Sequence, residues 1–206
     1  MSYFGLTGGI ACGKSTVAGF LKELGAHILD ADRIGHELIR PSQPAYHELL
    51  GAFGEGIRAP SGEIDRKRLG TLVFADREKL HLLNAILHPR IIERVEEMAG
   101  QLSGANMGAV IVVEAALMLE AGIGKRFRKV IAAWCRPEQQ LERLMAKTGL
   151  PRAEAERRIQ SQMPADEKAR QADFVVDCSG TLEATRRQVE ALYPLLERLA
   201  RSLQAE

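Results

Sequence analysis

Short apolar runs alternate along the chain with longer stretches in which apolar residues recur at helical spacing. The clearest apolar run, Ala109–Val113, is an alanine followed only by β-branched residues, which is typical of a strand buried on both faces. The other runs of this kind are Tyr3–Thr7, His27–Leu29, Val130–Trp134 and Phe174–Val176. Because helical stretches separate these runs, the pattern predicts an α/β fold of three layers, with a five-stranded parallel sheet between helices.

Two of the helical stretches are expected to pack on this sheet. Lys14–Leu24 directly follows the first strand. Leu182–Leu203 carries a single apolar stripe, which indicates a helix with one buried face. The stripe consists of Val189, Leu192, Leu196, Leu199 and Leu203.

Two further segments interrupt the alternation. Residues 41–104 begin with a part rich in Pro, Gly and Ser and continue as a helical pattern, so we interpret them as a helical insertion that could cover a substrate. Residues 136–163 hold two charged helices, Glu138–Lys147 and Arg152–Met163, with a Gly-Leu-Pro break between them. The remaining parts, 1–40, 105–135 and 164–206, are predicted to form the core of a single domain.

Composition narrows the possible functions. The chain has 206 residues and a net charge of +1, which gives no electrostatic case for binding nucleic acid or anionic membranes. No segment approaches the roughly 18 consecutive apolar residues of a membrane helix, and the first residues lack the basic leader of a signal peptide. The cysteines, Cys12, Cys135 and Cys178, are far apart and fit neither a metal motif nor a disulfide framework, so we expect a cytoplasmic protein.

The most specific motif is Gly8–Ser15, which matches the phosphate-loop pattern GxxxxGK[ST] and lies between a predicted strand and a predicted helix. Glycines let several backbone N–H groups point at one phosphate chain, and the helix start adds its positive dipole end. Lys14 would reach the β and γ phosphates, and Ser15 would hold Mg²⁺. The alternative is a glycine-rich turn with a solvated lysine.

Two acidic positions are candidates for acid–base or metal chemistry. Asp30-Ala31-Asp32 follows the second strand, and the carboxyl ends of parallel strands share one edge of the sheet, so one carboxylate of this pair could accept a proton from an attacking hydroxyl near Ser15. Alternatively, Asp32 caps a helix at Arg33–Ile39. Glu114 ends the third strand, where a carboxylate could assist Mg²⁺ or a water molecule, or be an ordinary strand-end acid.

The basic residues after Trp134 could close over phosphates, because Arg136, Arg143 and Lys147 lie near one helical face. Glutamates interleave with these bases, so we interpret most of them as solvated surface and make an exception of Arg143. His88 precedes Pro89, which predicts a break in the helical stretch that could aim His88 into a cleft, although a lone histidine is more often structural.

Together these residues resemble the dephospho-CoA kinases, a family of phosphate-loop enzymes, from Thr7 to about Gly180. Besides the loop, the resemblance rests on Asp30-Ala31-Asp32, His88-Pro89, Gln140-x-x-Arg143 and Arg158-Ile159-x-x-Gln162, in this order. It implies a P-loop kinase fold in which residues 41–104 receive the acceptor and residues 136–163 form a lid. It also implies transfer of the γ-phosphate of ATP, with Mg²⁺, to the ribose 3′-hydroxyl of dephospho-CoA. We expect a monomer or a weak homo-oligomer.

The resemblance assigns roles to single residues. The implied catalytic residues are Lys14, Arg143 and, as the base, Asp32. The implied ATP-binding residues are Gly9, Ala11, Cys12, Gly13, Lys14, Ser15, Thr16 and Arg143. The implied acceptor-binding residues are Thr7, Asp32, Arg66 and His88, and Ser15 is the metal ligand.

The chain departs from the family pattern at Ala11-Cys12, Glu114, Ala116 and Cys178. Ala11-Cys12 replaces a frequent Gly-Ser, where only backbone N–H groups are required. Glu114 replaces a common Asp and is one methylene longer, whereas Ala116 replaces a common Pro and makes that turn less rigid. Cys178 replaces an Asn near the adenine, and a thiol is a weaker hydrogen-bond partner than an amide.

The sequence is also compatible with other functions. A related kinase could act on a nucleoside monophosphate or a sugar, and a non-catalytic nucleotide switch would need no base beside the loop. The Asn-Lys-x-Asp element of guanine switches is absent from the sequence. Cys12, beside Lys14 and a helix start, could have a lowered thiol pKa and be sensitive to oxidation, or could simply be a small residue that fills the loop.

Overall fold

The computed structural model of the chain describes residues 3–106 and 108–202. They form two compact units, one built from the described parts of Met1–Asp30 and Ala99–Glu206, the other from Ala31–Met98. The helices α1 to α9 span Lys14–Glu23, Ala31–Leu38, Pro44–Phe53, Arg66–Phe74, Arg77–Ala105, Pro137–Thr148, Arg152–Gln160, Ala165–Gln171 and Leu182–Arg201. Over the described ranges, none of them combines the length and apolar character of a bilayer-spanning helix.

The predicted five-stranded parallel sheet is confirmed and lies in the first unit. Its strands β1 to β5 span Tyr3–Gly8, His27–Asp30, Ile111–Glu114, Val130–Trp134 and Phe174–Asp177, and their spatial order is β2-β3-β1-β4-β5. The central strand β1 is buried along its whole length, as expected when helices cover both faces of a sheet. The register sets Leu6 opposite Glu114, so the chain that leaves β1 passes beside the end of β3.

The predicted apolar stripe of α9 lies in the core of the first unit. Its described members there are Val189, Leu192, Leu196 and Leu199, whereas Leu203 lies outside the described residues. Helix α1 contributes Val17 and Leu21 to the same core. Since each fully buried aliphatic side chain stabilises the fold by roughly 1.5–3 kcal/mol, α1 and α9 are firmly held on the sheet.

The second unit has its own, smaller apolar core. Its buried residues are Ile39, Tyr46, Leu49, Ile57, Ile64, Leu69 and Val73. Asp65 caps α4 and accepts hydrogen bonds from the backbone N–H groups of Lys67 and Arg68 at 3.1 and 3.0 Å. This cap sets the start of α4, on which the predicted acceptor residue Arg66 lies.

The capping role considered for Asp32 is wrong. Helix α2 begins at Ala31, so Asp32 lies inside its first turn. The helix therefore starts earlier than the pattern of Arg33–Ile39 indicates, because the apolar face that anchors it already includes the buried Ala31. Asp32 is exposed on the first turn, where the helix dipole favours a carboxylate.

The break predicted at His88-Pro89 is also wrong. Helix α5 continues from Arg77 to Ala105 through Pro89. Apolar residues on both sides of the proline are packed, Ile86 against the core of the second unit and Val95 in a buried position. This packing offsets the one backbone hydrogen bond that proline removes from a helix interior.

Candidate active site

The phosphate loop turns sharply between β1 and α1. Two of its described residues have a left-handed backbone, Gly13 with a φ of 95° and Ala11 with a φ of 60°. A Cβ on Gly13 would lie 3.0 Å from the Sγ of Cys178, so the position requires glycine for space as well as for conformation. Ala11 holds a backbone that costs a non-glycine residue about 1–2 kcal/mol. Such strain persists only where the surroundings hold the backbone in place.

Lys14, the first residue of α1, forms an ion pair with Glu114. Its Nζ lies 2.5 Å from Glu114 Oε1, and the two side chains are only 17% and 13% exposed. The sheet register explains the pairing, because it sets Glu114 beside β1, which leads into the loop. In this conformation Glu114 orients the lysine ammonium group.

A cavity of about 320 Å³ opens beside the loop. Its walls come from the loop and α1, from α6, and from the turn that leads into α9. The lining residues are Ala11, Gly13, Ser15, Thr16, Arg143, Lys147, Cys178, Gly180, Leu182 and Thr185. The cavity thus has a cationic side on α6 and an apolar rim at the exposed Leu182.

The structure places most of the predicted ATP-binding residues around this cavity. Ala11, Gly13, Ser15, Thr16 and Arg143 all line it. Gly9 and Cys12 are buried within the loop. Lys14 is turned towards Glu114.

Helix α6 presents two cations to the cavity. Arg143 Nη2 donates a hydrogen bond to the backbone oxygen of Cys178 at 2.8 Å, and Lys147 lines the cavity one turn later. Sequence reasoning left Lys147 among the ordinary surface bases. The available signal was its spacing of four residues from Arg143, which puts both side chains on one helical face.

Two arginines of α7 form ordinary surface pairs. Arg152 pairs with Glu156 at 2.8 Å, and Arg158 pairs with Glu154 at 3.1 Å. All of these side chains are more than 40% exposed, so the pairs contribute little to the stability of the fold. The interpretation of these arginines as a solvated surface agrees with the structure.

The three cysteines, far apart in sequence, meet under the phosphate loop. Cys12, Cys135 and Cys178 belong to one buried core cluster, and all are free thiols. The hydrogen bond between Cys12 and Cys135, together with burial, raises the pKa of the Cys12 thiol far above its ordinary value. The hypothesis of a reactive Cys12 with a lowered pKa is therefore wrong, because the hydrogen bond to Cys135 and then burial disfavour the thiolate more than the nearby helix start favours it.

Two glutamines hold the backbone of Ile10 inside the loop. Gln140 of α6 donates from Nε2 to the Ile10 backbone oxygen at 3.0 Å, and Ile10 donates its N–H to Gln162 Oε1 at 3.0 Å. Gln162 is free to do so because α7 ends at Gln160 and not at Met163 as predicted. Sequence reasoning quoted both glutamines as motif members but gave them no role.

Thr7 and Lys168 share one acceptor beneath the sheet edge. Thr7 is fully buried and donates its hydroxyl to the Ala116 backbone oxygen at 3.2 Å. Lys168 is also fully buried, donates to the same oxygen at 2.5 Å and pairs with Glu120 at 2.8 Å. In this conformation the Thr7 hydroxyl is used within the protein, and its role towards a substrate stays a prediction.

The second unit contains a polar cavity of about 270 Å³, which is lined by residues from α2 and α4 and from the segments beside them. Its described lining consists of His36, Ile39, Arg40, Glu63, Ile64 and Arg66. Arg66 Nη1 donates to His36 Nε2 at 2.7 Å. Asp32 lies four residues before His36, on the same face of α2 as that histidine.

His88 does not join that group. It lies within α5, is half-buried, and is not among the described residues that line the polar cavity. Burial lowers its pKa below the ordinary histidine value. The imidazole is therefore neutral near pH 7 and offers one hydrogen-bond donor and one acceptor.

Comparison with known proteins identifies the relatives of this chain. The model of the dephospho-CoA kinase family matches residues 2–184. The curated dephospho-CoA kinase of Moorella thermoacetica is 45% identical over 198 residues, which cover 96% of this chain and 93% of the relative. That of Geobacter sulfurreducens is 43% identical over 94% of this chain and 98% of its own.

Solved structures of other proteins superpose on this chain along most of its length. A Thermus thermophilus protein superposes with a TM-score of 0.81 at 31% identity, over 94% of this chain and 97% of its own. Dephospho-CoA kinase from Campylobacter jejuni superposes with a TM-score of 0.69 at 28% identity, over 96% of this chain and 98% of its own. Shikimate kinase from Bacteroides thetaiotaomicron shares the fold alone, with a TM-score of 0.55 at 15% identity over 95% of this chain and 98% of its own.

The phosphate loop, the cationic face of α6 and these similarities support the same conclusion. The chain belongs to the dephospho-CoA kinase family.

Proposed function

We propose that the chain transfers the γ-phosphate of ATP to the ribose 3′-hydroxyl of dephospho-CoA, giving coenzyme A and ADP. The observation that carries this proposal is the cavity where the phosphate loop meets Arg143 and Lys147, in a chain of this family. Phosphoryl transfer depends mainly on positioning and on neutralising phosphate charge. A loop of backbone N–H groups opposed by two cations is suited to both.

On the donor side, the loop N–H groups and Lys14 bind the β and γ phosphates. A lysine ammonium group has three donors. Glu114 occupies one of them and holds the side chain in place, which leaves two for phosphate oxygens. Arg143 approaches from α6 and neutralises charge on the transferred group.

Mg²⁺ accompanies ATP in this proposal. The hydroxyl of Ser15 is the oxygen ligand that the loop supplies, since Ser15 is exposed in the first turn of α1 and lines the cavity. Among the described residues, no group of three or more His, Cys, Asp or Glu could hold a metal ion by itself. This fits Mg²⁺, which usually binds through few protein oxygens together with substrate phosphates. Mg²⁺ held there would neutralise part of the phosphate charge.

On the acceptor side, Asp32 orients the 3′-hydroxyl and accepts its proton. The carboxylate is exposed at the start of α2 and lies two residues after the end of β2. Arg66, paired with His36, offers further N–H donors to anionic groups of the acceptor. His88 and Thr7 complete the proposed acceptor residues.

We assign one role to each segment of the chain. Residues 41–104 receive the acceptor, residues 136–163 act as a lid over the nucleotide, and the remaining parts form the catalytic core. We further propose a cytoplasmic enzyme that works as a monomer or weak homo-oligomer, without nucleic-acid or membrane partners.

One assay tests donor and acceptor together. Purified protein is incubated with Mg-ATP and with Mg-GTP, each in the presence of dephospho-CoA, adenosine monophosphate or gluconate, and ADP or GDP release is followed. We expect dephospho-CoA to be phosphorylated far faster than the other acceptors. Faster turnover of adenosine monophosphate or gluconate would overturn the proposal.

A further inference from the structure

Ile10 is held by side chains from two places distant in sequence. Gln140 donates to its backbone oxygen and Gln162 accepts from its N–H, both at 3.0 Å. Gln140 is only 5% exposed. Since a buried polar group without a partner is costly, both ends of this peptide segment depend on the two glutamines.

The direction of these bonds matters for an anion site. A phosphate loop needs its N–H groups turned towards the ligand and its carbonyl oxygens turned away, because a carbonyl dipole repels phosphate. The Gln140 amide draws the Ile10 oxygen towards α6. The Ile10 N–H is committed to Gln162 and so does not compete with the amides that follow it.

The two bonds also lie next to the strained part of the loop. Ala11, with its φ of 60°, directly follows Ile10. A residue in this conformation needs neighbours that hold it there. The fit is close, because a Cβ on Gly9 would lie 2.7 Å from the Gln140 amide nitrogen. Glycine at position 9 is therefore what lets the amide reach the backbone.

The same helix face carries the cations of the site. Arg143 follows Gln140 by three residues and Lys147 follows it by seven, a spacing that keeps all three on one face of α6. Gln140 contacts the loop, whereas Arg143 and Lys147 line the cavity. The contact between Gln140 and Ile10 therefore also fixes the position of α6 along its axis and its rotation about that axis. Both determine where Arg143 lies relative to the phosphates.

We propose that Gln140 and Gln162 are positioning residues, which clamp Ile10 so that the phosphate loop keeps its anion-binding shape and Arg143 keeps its place over the donor phosphates. This inference rests on the proposed donor site but not on the identity of the acceptor. It predicts that the two glutamines act by opposite chemistry, Gln140 as a donor and Gln162 as an acceptor.

The experiment uses substitutions that separate these two roles. Gln140→Glu and Gln162→Glu place the same charge on either side of Ile10, but a carboxylate can only accept. Gln140→Ala and Gln162→Ala remove each bond, and Gln160→Ala, at the exposed end of α7, is the matched control. Mg-ADP affinity is measured by calorimetry without an acceptor, kcat and KM for ATP are measured with dephospho-CoA, and the melting temperature is recorded without nucleotide.

We expect each alanine variant to lose about 10- to 100-fold in Mg-ADP affinity or in kcat/KM for ATP, the usual effect of leaving a buried polar group unpaired. Gln160→Ala should match the wild type. Gln162→Glu should keep at least about ten times more kcat/KM for ATP than Gln140→Glu, because only the former preserves its hydrogen bond.

Equal losses in the two glutamate variants would overturn the donor–acceptor assignment and with it the proposal. Alanine variants that bind Mg-ADP and turn over ATP like Gln160→Ala would also overturn it. A variant that only lowers the melting temperature, with unchanged Mg-ADP affinity and kcat, counts against positioning and for a structural role. If the wild type binds Mg-ADP but does not phosphorylate dephospho-CoA, the proposed function fails while the clamp is still tested by affinity.

Discussion

Glu114, at the end of β3, holds Lys14, at the start of α1, with Nζ and Oε1 2.5 Å apart and both side chains more than four-fifths buried. The contact joins residues 100 positions apart. It gives the lysine of the phosphate loop a defined direction. This fixed direction lowers the entropy cost of ordering a long side chain when ATP binds.

Replacing Glu114 by Gln should therefore impair catalysis and stability together. We expect kcat/KM for ATP to fall about tenfold and the free energy of unfolding to fall by about 1–3 kcal/mol, because the Lys14 ammonium group keeps only a neutral amide oxygen as acceptor in place of a charged carboxylate. Steady-state kinetics and urea unfolding measure the two effects. A Glu114→Gln enzyme with wild-type kcat/KM would show that Lys14 needs no charged partner.

Replacing Asp32 by Asn should lower kcat without weakening ATP binding. Loss of general-base help costs roughly 10²- to 10⁴-fold in turnover. Glu37→Gln is the matched control, since it removes a carboxylate from the same helix α2, where Glu37 pairs with the exposed Arg33. If Asp32→Asn and Glu37→Gln keep the same kcat, Asp32 is not the base.

Replacing Arg66 by Ala should weaken acceptor binding selectively. Arg66 lines the polar cavity of the second unit and contacts His36, so its loss removes donors for an anionic substrate. We expect KM for dephospho-CoA to rise about tenfold or more, with KM for ATP unchanged. Arg68→Ala, on the same helix but paired with Asp65, is the control. A rise in both KM values, or an equal effect of Arg68→Ala, contradicts the assignment.

The buried thiols predict a loss of stability at alkaline pH. Burial raises the pKa of Cys178 to about 11, whereas an unfolded thiol titrates near pH 8.5. A raised folded pKa means that the stabilising contribution is complete below about pH 8.5 and is lost as the pH rises towards the folded pKa. Between pH 8 and 11, the free energy of unfolding of the wild type should fall by roughly 3 kcal/mol more than that of Cys178→Ala. Parallel curves in urea unfolding would exclude this contribution.

Much of the fold follows from local patterns. The continuous apolar runs predicted the strands of the described sheet to within one or two residues, because strands in the middle of a covered sheet, such as β1 and β3, are buried at nearly every position. Gly8–Ser15 predicted an anion site for a related reason. Its glycines, its lysine and the helix start are contiguous, so local sequence was enough to locate the site.

Local reasoning was wrong where packing decided the outcome. Pro89 predicts a helix end, but α5 continues because apolar residues on both sides of the proline are packed. The position of Cys12 next to Lys14 and a helix start predicts a lowered thiol pKa. In the structure, Cys12 lies among apolar atoms with Cys135, and its pKa is raised instead.

The sequence by itself determined the class of the fold, the place of the phosphate loop and, through several motifs in order, the resemblance to one kinase family. Only the tertiary structure decided the partners: Glu114 for Lys14, Gln140 and Gln162 for Ile10, and one buried cluster for three distant cysteines. The reason is that a strand, a turn or a helix start depends on neighbouring residues. A contact across 100 or 152 positions depends instead on strand order and register, which bring the distant parts of the chain together.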